Sequence, residues 1–343
     1  MHETLDQHAP SRYNEREKAV RSSVMCTQAA TLRRKGKKER KAMPLEPEPK
    51  REQPSTYVVE DRSNQEELNR LRLFDQMLTA GMGGVLPEQP DPTVFPRVLD
   101  VGCGTGGWLI ELAQTTPTCR LLVGVDVSLT FIEYARTQAE AAHVSDRVEF
   151  HVMDALRMLE FPSSFFDLVN HRAGVSWLRT WDWAKLLQEY QRVCHPEGVV
   201  RITEPEWPIA KSSPALLRLT ELASQAFHRA GHYFTPTRDG ITSELAHLLQ
   251  QHGLQQVQTR AHTLEYSVGT PQWQSLFEHN KLGFRTLLPF LCKWMRVPED
   301  YEEIYQQMLS EMQQPDCVAT WSLLTAWGYP SPRKDLLGGN FAR

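Results

Sequence analysis

The chain has 343 residues, of which 41% are hydrophobic and 23% charged, and its formal net charge is −4. This composition is too apolar for a chain that is disordered throughout, and it suffices for one large core or two smaller ones. No stretch approaches the roughly 20 apolar residues that a membrane-spanning helix needs, and the polar N-terminus does not resemble a secretory signal. The six cysteines form no CxxC pair, which is typical of reduced thiols. We therefore expect a cytoplasmic protein without a membrane segment.

Charge is unevenly distributed along the chain. Residues 1–55 carry 13 Lys and Arg against 8 Asp and Glu, whereas the remainder carries 25 against 34. The basic run 33–41 and the Pro- and Glu-rich stretch 44–54 lack an apolar pattern, so residues 1–56 are predicted to be a disordered tail. A nuclear-targeting or polyanion-binding patch, or a natural start at an internal methionine, are alternatives to this interpretation. Because the remaining chain is acidic, nucleic acid is not expected as a partner.

The ordered chain is expected to begin near Tyr57 with a helix. Ser63 and Glu66 form a capping box at its start. An apolar stripe follows, formed by Leu68, Leu71, Phe74 and Leu78. Glycines at 81, 83 and 84 are predicted to end this helix.

Strand-like and helical segments then alternate. Strands are predicted at 98–101, 121–125, 147–152, 165–170 and 199–203, with helices at 106–114, 128–142 and 181–194. After Pro208, helical segments are predicted at 213–230, 241–252 and 271–312, with strands at 255–268 and 317–327. Strands that alternate with helices in this way predict βαβ crossovers and a parallel sheet covered on both faces.

The glycine-rich stretch after the first strand is the most informative part of the sequence. Gly102, Gly104 and Gly107 satisfy the GxGxxG pattern of dinucleotide-binding loops, but this pattern alone is a weak signal. Asp100 lies two residues before the first glycine, where a pyrophosphate would meet a negative charge. A ligand with an ammonium and a sulfonium group would instead be attracted. The alternative role of Asp100 is to cap the turn.

Two further acids follow the next two strands. Asp126 lies where a carboxylate can accept hydrogen bonds from ribose hydroxyls. A NAD enzyme would also have an acid at this position, so Asp126 does not separate the two kinds of ligand. Asp154 lies where a carboxylate can accept a hydrogen bond from an adenine amino group. A helix N-cap for Asp126 and a turn position for Asp154 are the structural alternatives. Three acids after three successive strands are a more specific signal than the glycines.

At these residues the sequence resembles the class I S-adenosylmethionine-dependent methyltransferases. VLDVGCGTGGW (98–108) resembles their first motif, and LLVGVDVS (121–128), MDAL (153–156), FDLVNHR (166–172) and RVCHPEGVVRITEPEW (192–207) resemble the segments of their next four strands. Within the family, the chain is most similar to bacterial small-molecule methyltransferases of the type 11/25 domain group. One departure is the sequence His195-Pro196-Glu197-Gly198, where the family has a Pro-Gly-Gly turn.

The resemblance implies an α/β fold, with a Rossmann-like, doubly wound, seven-stranded sheet that is mostly parallel and has an antiparallel last strand. The methyltransferase domain would span 57–330, with helical insertions at about 209–252 and 271–312 as a lid over the substrate, and 331–343 would be a C-terminal tail. The cofactor would be S-adenosyl-L-methionine, with the methionine part at the glycines, the ribose at Asp126, the adenine at Asp154 and the sulfonium beside Asn170. The cofactor-binding candidates are Asp100, Gly102, Cys103, Gly104, Gly106, Asp126, Val127, Asp154, Ala155 and Asn170. Tyr57 and Arg70, on the opening helix, are expected to close over the cofactor.

Candidates for acceptor chemistry follow strands four and five. His171 and Glu204 are the predicted catalytic residues, with Glu204 expected to face the site rather than Glu206. A structural histidine and a capping or ion-paired carboxylate are the alternatives. In the insertion, His228, His232 and Tyr233 are weaker candidates. Trp177, Trp181, Trp183 and Trp207 form either a platform for an aromatic or cationic acceptor or part of the core.

The sequence therefore predicts an enzyme that transfers a methyl group from S-adenosylmethionine to a small organic molecule by in-line displacement. A NAD(P)-dependent oxidoreductase that uses the same glycine loop, and a non-catalytic S-adenosylmethionine-binding regulatory module, are the alternatives. No metal site is predicted, since no zinc-ligand spacing, P-loop or HExxH motif occurs. The sequence assigns no oligomeric state.

Overall fold

The computed structural model describes residues 56–59, 61 and 65–331. The predicted N-terminal tail, Ser63 of the capping box and nearly all of the predicted C-terminal tail lie outside the described residues. The domain limits at 57 and 330 stay predictions.

The described residues form an eight-stranded sheet. Its strands are β1 (Arg97–Val101), β2 (Leu121–Asp126), β3 (Val148–Val152), β4 (Phe166–Arg172), β5 (Cys194–Pro205), β6 (Ile209–Ala210), β7 (Gln255–Ser267) and β8 (Val318–Tyr329). The order is β3-β2-β1-β4-β5-β8, and both β6 and β7 pair with β8. Strands β1 to β5 are parallel to one another, while β8 is antiparallel to β5, β6 and β7.

Eight helices accompany the sheet in the described part of the chain. They are α1 (Gln65–Met82), α2 (Gly107–Thr115), α3 (Leu129–Ala141), α4 (Trp183–Val193), α5 (Pro214–Arg229), α6 (Thr242–Gln251), α7 (Pro271–Trp294) and α8 (Tyr301–Glu311). None of these helices is long and apolar enough to cross a membrane. Strand β1 has no exposed residue, as is typical of a central strand in a parallel sheet that helices cover on both faces.

The predicted fold class, a mostly parallel α/β sheet with an antiparallel last strand, is confirmed. The sheet has one strand more than predicted, because the two residues of β6 pair with Thr320 and Ala319 of β8. A two-residue strand has no periodicity that a sequence could reveal. The single helical block predicted at 271–312 is two helices, α7 and α8.

The unusual sequence at 195–198 lies inside β5 rather than in a turn before it. Phe166 pairs with Cys194, and the next partners are Leu168 and Val199. Two steps along β4 therefore correspond to five along β5, and the surplus residues form a bulge. A bulge of this kind tolerates Pro and Glu where the family's turn uses glycines.

The strand order determines where a ligand can bind. Strand β1 has β2 on one side and β4 on the other. Successive strands are therefore added in one direction from β1 to β3 and in the opposite direction from β4 onward. Loops that leave the carboxyl ends of these two strands diverge, and the crevice between them is the usual ligand site of an open α/β sheet. The loop after β1 is the glycine-rich stretch.

Candidate functional site

A cavity of about 480 Å³ lies at the carboxyl ends of β1 to β4. Its walls come from the segment at Thr56–Val59, from α1, from the loops after the parallel strands, and from α7 and β8. One half is lined by the glycine loop and by acidic side chains. The other half, which we call the aromatic chamber, is lined by Phe74, Trp207, Phe227, Tyr233, His279, Asn280, Phe284, Leu287 and Trp321.

The glycine loop is held by backbone hydrogen bonds to the end of β2. Gly102 and Cys103 both donate to the carbonyl of Val125, at 2.8 and 3.0 Å. Gly104 has a φ of +52°, and a Cβ added to it would have no atom of the described protein within 4 Å. This open backbone lines the cavity, so a ligand can approach it where a side chain would intrude.

Gly106 has a different role from the one predicted. Its φ is +77°, but a Cβ here would lie 2.5 Å from the ring of Phe150 and 2.8 Å from Ala135. Gly106 is not among the residues that line the cavity. It lets the start of α2 pack closely on its neighbours, whereas Gly102, Cys103 and Gly104 line the cavity.

The acids after β2 and β3 line the same half of the cavity, as do Val127 and Ala155 beside them. Asp126 accepts hydrogen bonds from the backbone N–H groups of Gly104, at 3.1 Å, and Ser128, at 2.8 Å. Ser128, and not Asp126, is the N-cap of α3. Asp154 accepts from the Leu156 N–H at 3.0 Å. The exposed Arg157 also forms an ion pair with Asp154 at 3.3 Å. These contacts orient both carboxylates.

Asp100 lies at the base of the cavity and is held by Asn170. The side-chain amide of Asn170 donates to Asp100 Oδ1 at 2.7 Å, and its oxygen accepts from Arg201 Nη1 at 2.7 Å. Arg201 is completely buried and forms an ion pair with Glu88, with Nε 2.5 Å from Oε1. Burial raises the pKa of Asp100 to about 7, against the opposing effects of Asn170 and Arg201. Asn170 itself does not line the cavity, contrary to the prediction that it contacts the ligand.

The two predicted catalytic residues lie beneath the cavity wall. His171 and Glu204 are completely buried, and neither lines the cavity. Glu204 accepts hydrogen bonds from the backbone N–H groups of Gly174, at 2.8 Å, and Val175, at 3.2 Å. Burial raises the pKa of Glu204 to about 8. Glu204 thus supports the turn after β4. Of the two acids at the end of β5, it is Glu206 that lines the cavity, opposite to the prediction.

His171 has the environment of a core residue. Its ring is stacked between Trp177 and Trp183, with centroid distances of 5.4 and 5.8 Å, and Nδ1 lies 2.9 Å from the Tyr190 hydroxyl. Burial lowers the pKa of His171 to about 3, so the ring is neutral near pH 7. The position of His171 under the wall therefore favours the structural interpretation of this residue.

The tryptophans and the residues of the insertion that were considered for the acceptor site do not all lie at the cavity. Trp177 and Trp207 line the cavity, Trp183 belongs to the core, and 62% of Trp181 is exposed. Of the three candidates in the insertion, Tyr233 lines the cavity. The histidines at 228 and 232 are not among the lining residues.

The start of the described chain covers one side of the cavity. Tyr57 donates a hydrogen bond to the buried Glu67, and Arg70 contacts the same carboxylate at 2.6 and 2.8 Å. Val58 donates to the carbonyl of Ser176 at 2.9 Å, which ties this segment to the turn after β4. Tyr57 and Arg70 both line the cavity.

Sequence reasoning missed an ion pair that lines the cavity. Arg172, the last residue of β4, forms an ion pair with Asp75 of α1 and donates to the Thr79 hydroxyl at 3.1 Å. Burial and the nearby Arg201 lower the pKa of Arg172 to about 9. Both members of the pair line the cavity.

The residues present fit a positively charged nucleoside better than a phosphorylated one. Asp100, Asp126 and Asp154 line one half of the cavity, beside the open backbone of Gly104. The cationic side chains among the described lining residues, Arg70 and Arg172, are each paired with a carboxylate. A phosphate would therefore meet three acids and no unpaired cation. No group of three or more potential metal ligands occurs in the described part of the chain.

Comparisons with known proteins agree with this site. Residues 98–198 match the family model of a methyltransferase domain. A demethylmenaquinone methyltransferase of Lactiplantibacillus plantarum is 32% identical over 118 residues, which are 34% of this chain and 48% of that protein. An aklanonic acid methyltransferase of a Streptomyces species is 32% identical over 124 residues, 36% of this chain and 54% of that protein.

The solved structure of a phosphoethanolamine N-methyltransferase from Haemonchus contortus has a TM-score of 0.48 and 18% identity, over 80% of this chain and 60% of that one. The chain spans about half the length of the curated relatives described above. The matched residues contain the glycine loop and the three acids Asp100, Asp126 and Asp154. Over this segment the chain is similar to methyltransferases, in agreement with the resemblance found in the sequence.

Proposed function

We propose that this protein transfers a methyl group from S-adenosyl-L-methionine to a small organic molecule. The observation that carries the proposal is a single cavity that joins an acidic, glycine-lined half to an aromatic chamber. The first half suits a cationic nucleoside, and the second suits an apolar acceptor. The names of the relatives are consistent with a small-molecule acceptor.

S-adenosylmethionine, when bound, supplies an electrophilic methyl group and its own leaving group. The protein then has to bind both reactants, align them and exclude water. In this proposal, Asp126 and Asp154 hold the nucleoside, and Asp100 and the glycine loop hold the methionine part. The segment at Tyr57 and the turn after β4 cover the bound molecule. His171 and Glu204 act through the shape of that turn and do not take part in the chemistry.

Calorimetric titration of the full chain with S-adenosylmethionine, S-adenosylhomocysteine and NADH tests the cofactor. We expect both adenosyl compounds to bind and NADH not to bind. Binding of NADH alone would instead support the oxidoreductase alternative.

Incubation with methyl-labelled S-adenosylmethionine and fractionated metabolite pools, read by mass spectrometry, tests turnover. Appearance of labelled products together with S-adenosylhomocysteine is the expected result. Cofactor binding without any labelled product from any pool would favour the regulatory-module alternative. That nucleic acid is not the acceptor stays a prediction from the acidic charge of residues 56–343.

A further inference from the structure

The turn after β4 presents an indole N–H group beside the glycine loop. Trp177 lines the cavity, and a Cβ added to Gly102 would lie 3.0 Å from its Nε1 and 3.3 Å from its Cε2. The nitrogen-bearing edge of the indole therefore faces the first glycine of the loop.

This N–H group has no hydrogen-bond partner among the described residues. The indole nitrogen of Trp183 also lacks a partner, but it is buried, whereas that of Trp177 is not. Because Trp177 lines the cavity, its N–H group is open to a ligand there. An indole nitrogen can only donate a hydrogen bond, and the ring fixes the direction of its hydrogen.

The indole of Trp177 is held in place by its other contacts. It stacks on the ring of His171 with a centroid distance of 5.4 Å and an interplanar angle of 20°, and His171 stacks in turn on Trp183. The backbone N–H of Trp177 donates to the Gly174 carbonyl at 2.9 Å, and its carbonyl accepts from the Thr56 hydroxyl. The donor is thus ordered before a ligand arrives, which lowers the entropy cost of binding to it.

Other donors near the loop are already in use. The backbone N–H groups of residues 102–104 donate to the last two residues of β2. The lining arginines, Arg70 and Arg172, are each paired with a carboxylate. Trp177 therefore offers an unpaired donor beside the loop.

The methionine part of S-adenosylmethionine carries two charges of opposite sign. Asp100, two residues before Gly102, attracts its ammonium group, whereas the acids of this half of the cavity repel its carboxylate. A hydrogen bond from an N–H group to an ionised acceptor is about twice as strong as one between neutral groups. The two ends of the amino-acid part therefore need different partners, an acid and an N–H group.

We propose that the indole N–H of Trp177 donates a hydrogen bond to the carboxylate of the bound cofactor, while Asp100 binds its ammonium group. Trp177 is then the residue by which the protein distinguishes an adenosyl compound with this carboxylate from one without it. This inference rests on the proposed function, because it assigns a further contact to the same cofactor.

Calorimetric titration with two ligands tests the inference without turnover. They are S-adenosylhomocysteine and its decarboxylated analogue, which keeps the adenosine, the thioether and the ammonium group. At pH 8, where Asp100 is largely ionised, we expect the unmodified protein to bind S-adenosylhomocysteine more tightly than the analogue. Trp177→Phe should reduce this preference about tenfold, through weaker binding of S-adenosylhomocysteine alone.

Two further variants isolate the nitrogen. Trp177→His keeps a ring nitrogen at the place of Nε1, so it should retain part of the preference that Trp177→Phe loses. Trp181→Phe, at an exposed position outside the cavity, is the matched control and should bind both compounds as the unmodified protein does.

An unchanged preference in Trp177→Phe would overturn the inference. So would an equal loss of affinity for both compounds, which is the result that a packing role alone would give. If Trp177→Phe does not fold, as judged by its thermal melt, the unmodified protein decides, and equal or tighter binding of the analogue would overturn the inference. Failure of the proposed function would look different, since neither compound would then bind to the unmodified protein, and this result would overturn both proposals.

Discussion

The amide of Asn170, on β4, donates a 2.7 Å hydrogen bond to Asp100 Oδ1 on the neighbouring strand β1. The two residues are register partners, and Arg201 of β5 is the register partner of Asn170 on the other side. Three polar residues therefore lie in one row across the sheet, inside an otherwise apolar core. This row positions the Asp100 carboxylate at the base of the cavity.

Cofactor affinity should depend on pH through Asp100. Because burial raises the pKa of Asp100 to about 7, this carboxyl is largely protonated at pH 6 and ionised at pH 8. A cationic ligand stabilises the ionised form, so binding below pH 7 has to displace a proton. We expect the Kd of S-adenosylmethionine to increase about tenfold from pH 8 to pH 6, measured by calorimetry. Asp100→Asn should bind with much less pH dependence, and an equal slope in both proteins would contradict this role.

Asp126, at the end of β2, should contribute directly to the affinity for S-adenosylmethionine. Replacing Asp126 with Ala leaves ribose hydroxyls unpaired in a partly buried site, so S-adenosylmethionine binding should weaken by about 1–3 kcal/mol. Calorimetric titration measures the change. Asp146→Ala, at an exposed position, is the control and should bind normally. Unchanged affinity in Asp126→Ala would count strongly against the proposed cofactor.

Two glycines of the loop should respond differently to alanine. At Gly104 the added Cβ meets no protein atom, so Gly104→Ala should cost about 1 kcal/mol of stability for its left-handed backbone and should chiefly weaken cofactor binding. At Gly106 the Cβ meets the Phe150 ring, so Gly106→Ala should lower Tm more than Gly104→Ala does. Thermal melts and titrations of both variants make the comparison. Similar Tm values would contradict the packing role of Gly106.

Stability should depend on whether Arg201 and Glu88 are both present or both absent. Arg201→Met leaves the Glu88 carboxylate buried without its cation, which should reduce the free energy of unfolding by about 3–5 kcal/mol. The double variant Arg201→Met, Glu88→Leu removes both charges and should recover a large part of this loss. Urea denaturation of the single and double variants measures the coupling. A double variant no more stable than Arg201→Met would show that the pair is not the cause.

The sequence was sufficient to predict the parallel part of the sheet. Each parallel strand contains apolar residues that predict it, and Asp100, Asp126 and Asp154 line the cavity because the carboxyl ends of β1 to β3 meet at one edge. The wrong assignments arise where strands run further than their apolar pattern. Strand β4 was predicted to end at Asn170 but continues to Arg172, so His171 lies within the strand.

Strand β5 likewise continues to Pro205, which places Glu204 inside the strand and beneath the wall. Successive side chains of a strand point to opposite faces, so which of them faces the cavity depends on where the strand ends. The sequence did not show the last residue of the strand, and the orientation could not be predicted. The Arg172–Asp75 pair and the stacked rings of Phe74 and His279 join segments that are distant in sequence. Only packing of α1 against α7 and the sheet brings them together.

The aromatic chamber has a consequence for how binding and folding are related. Its walls combine Phe74, near the beginning of the described chain, with Trp321, near its end, and the two rings lie 5.6 Å apart. A fragment limited to the 98–198 segment shared with relatives would hold the nucleoside side but not the chamber. In the proposed function, acceptor recognition therefore requires the last strand to be in place, and an acceptor that bound there would stabilise the described domain against unfolding.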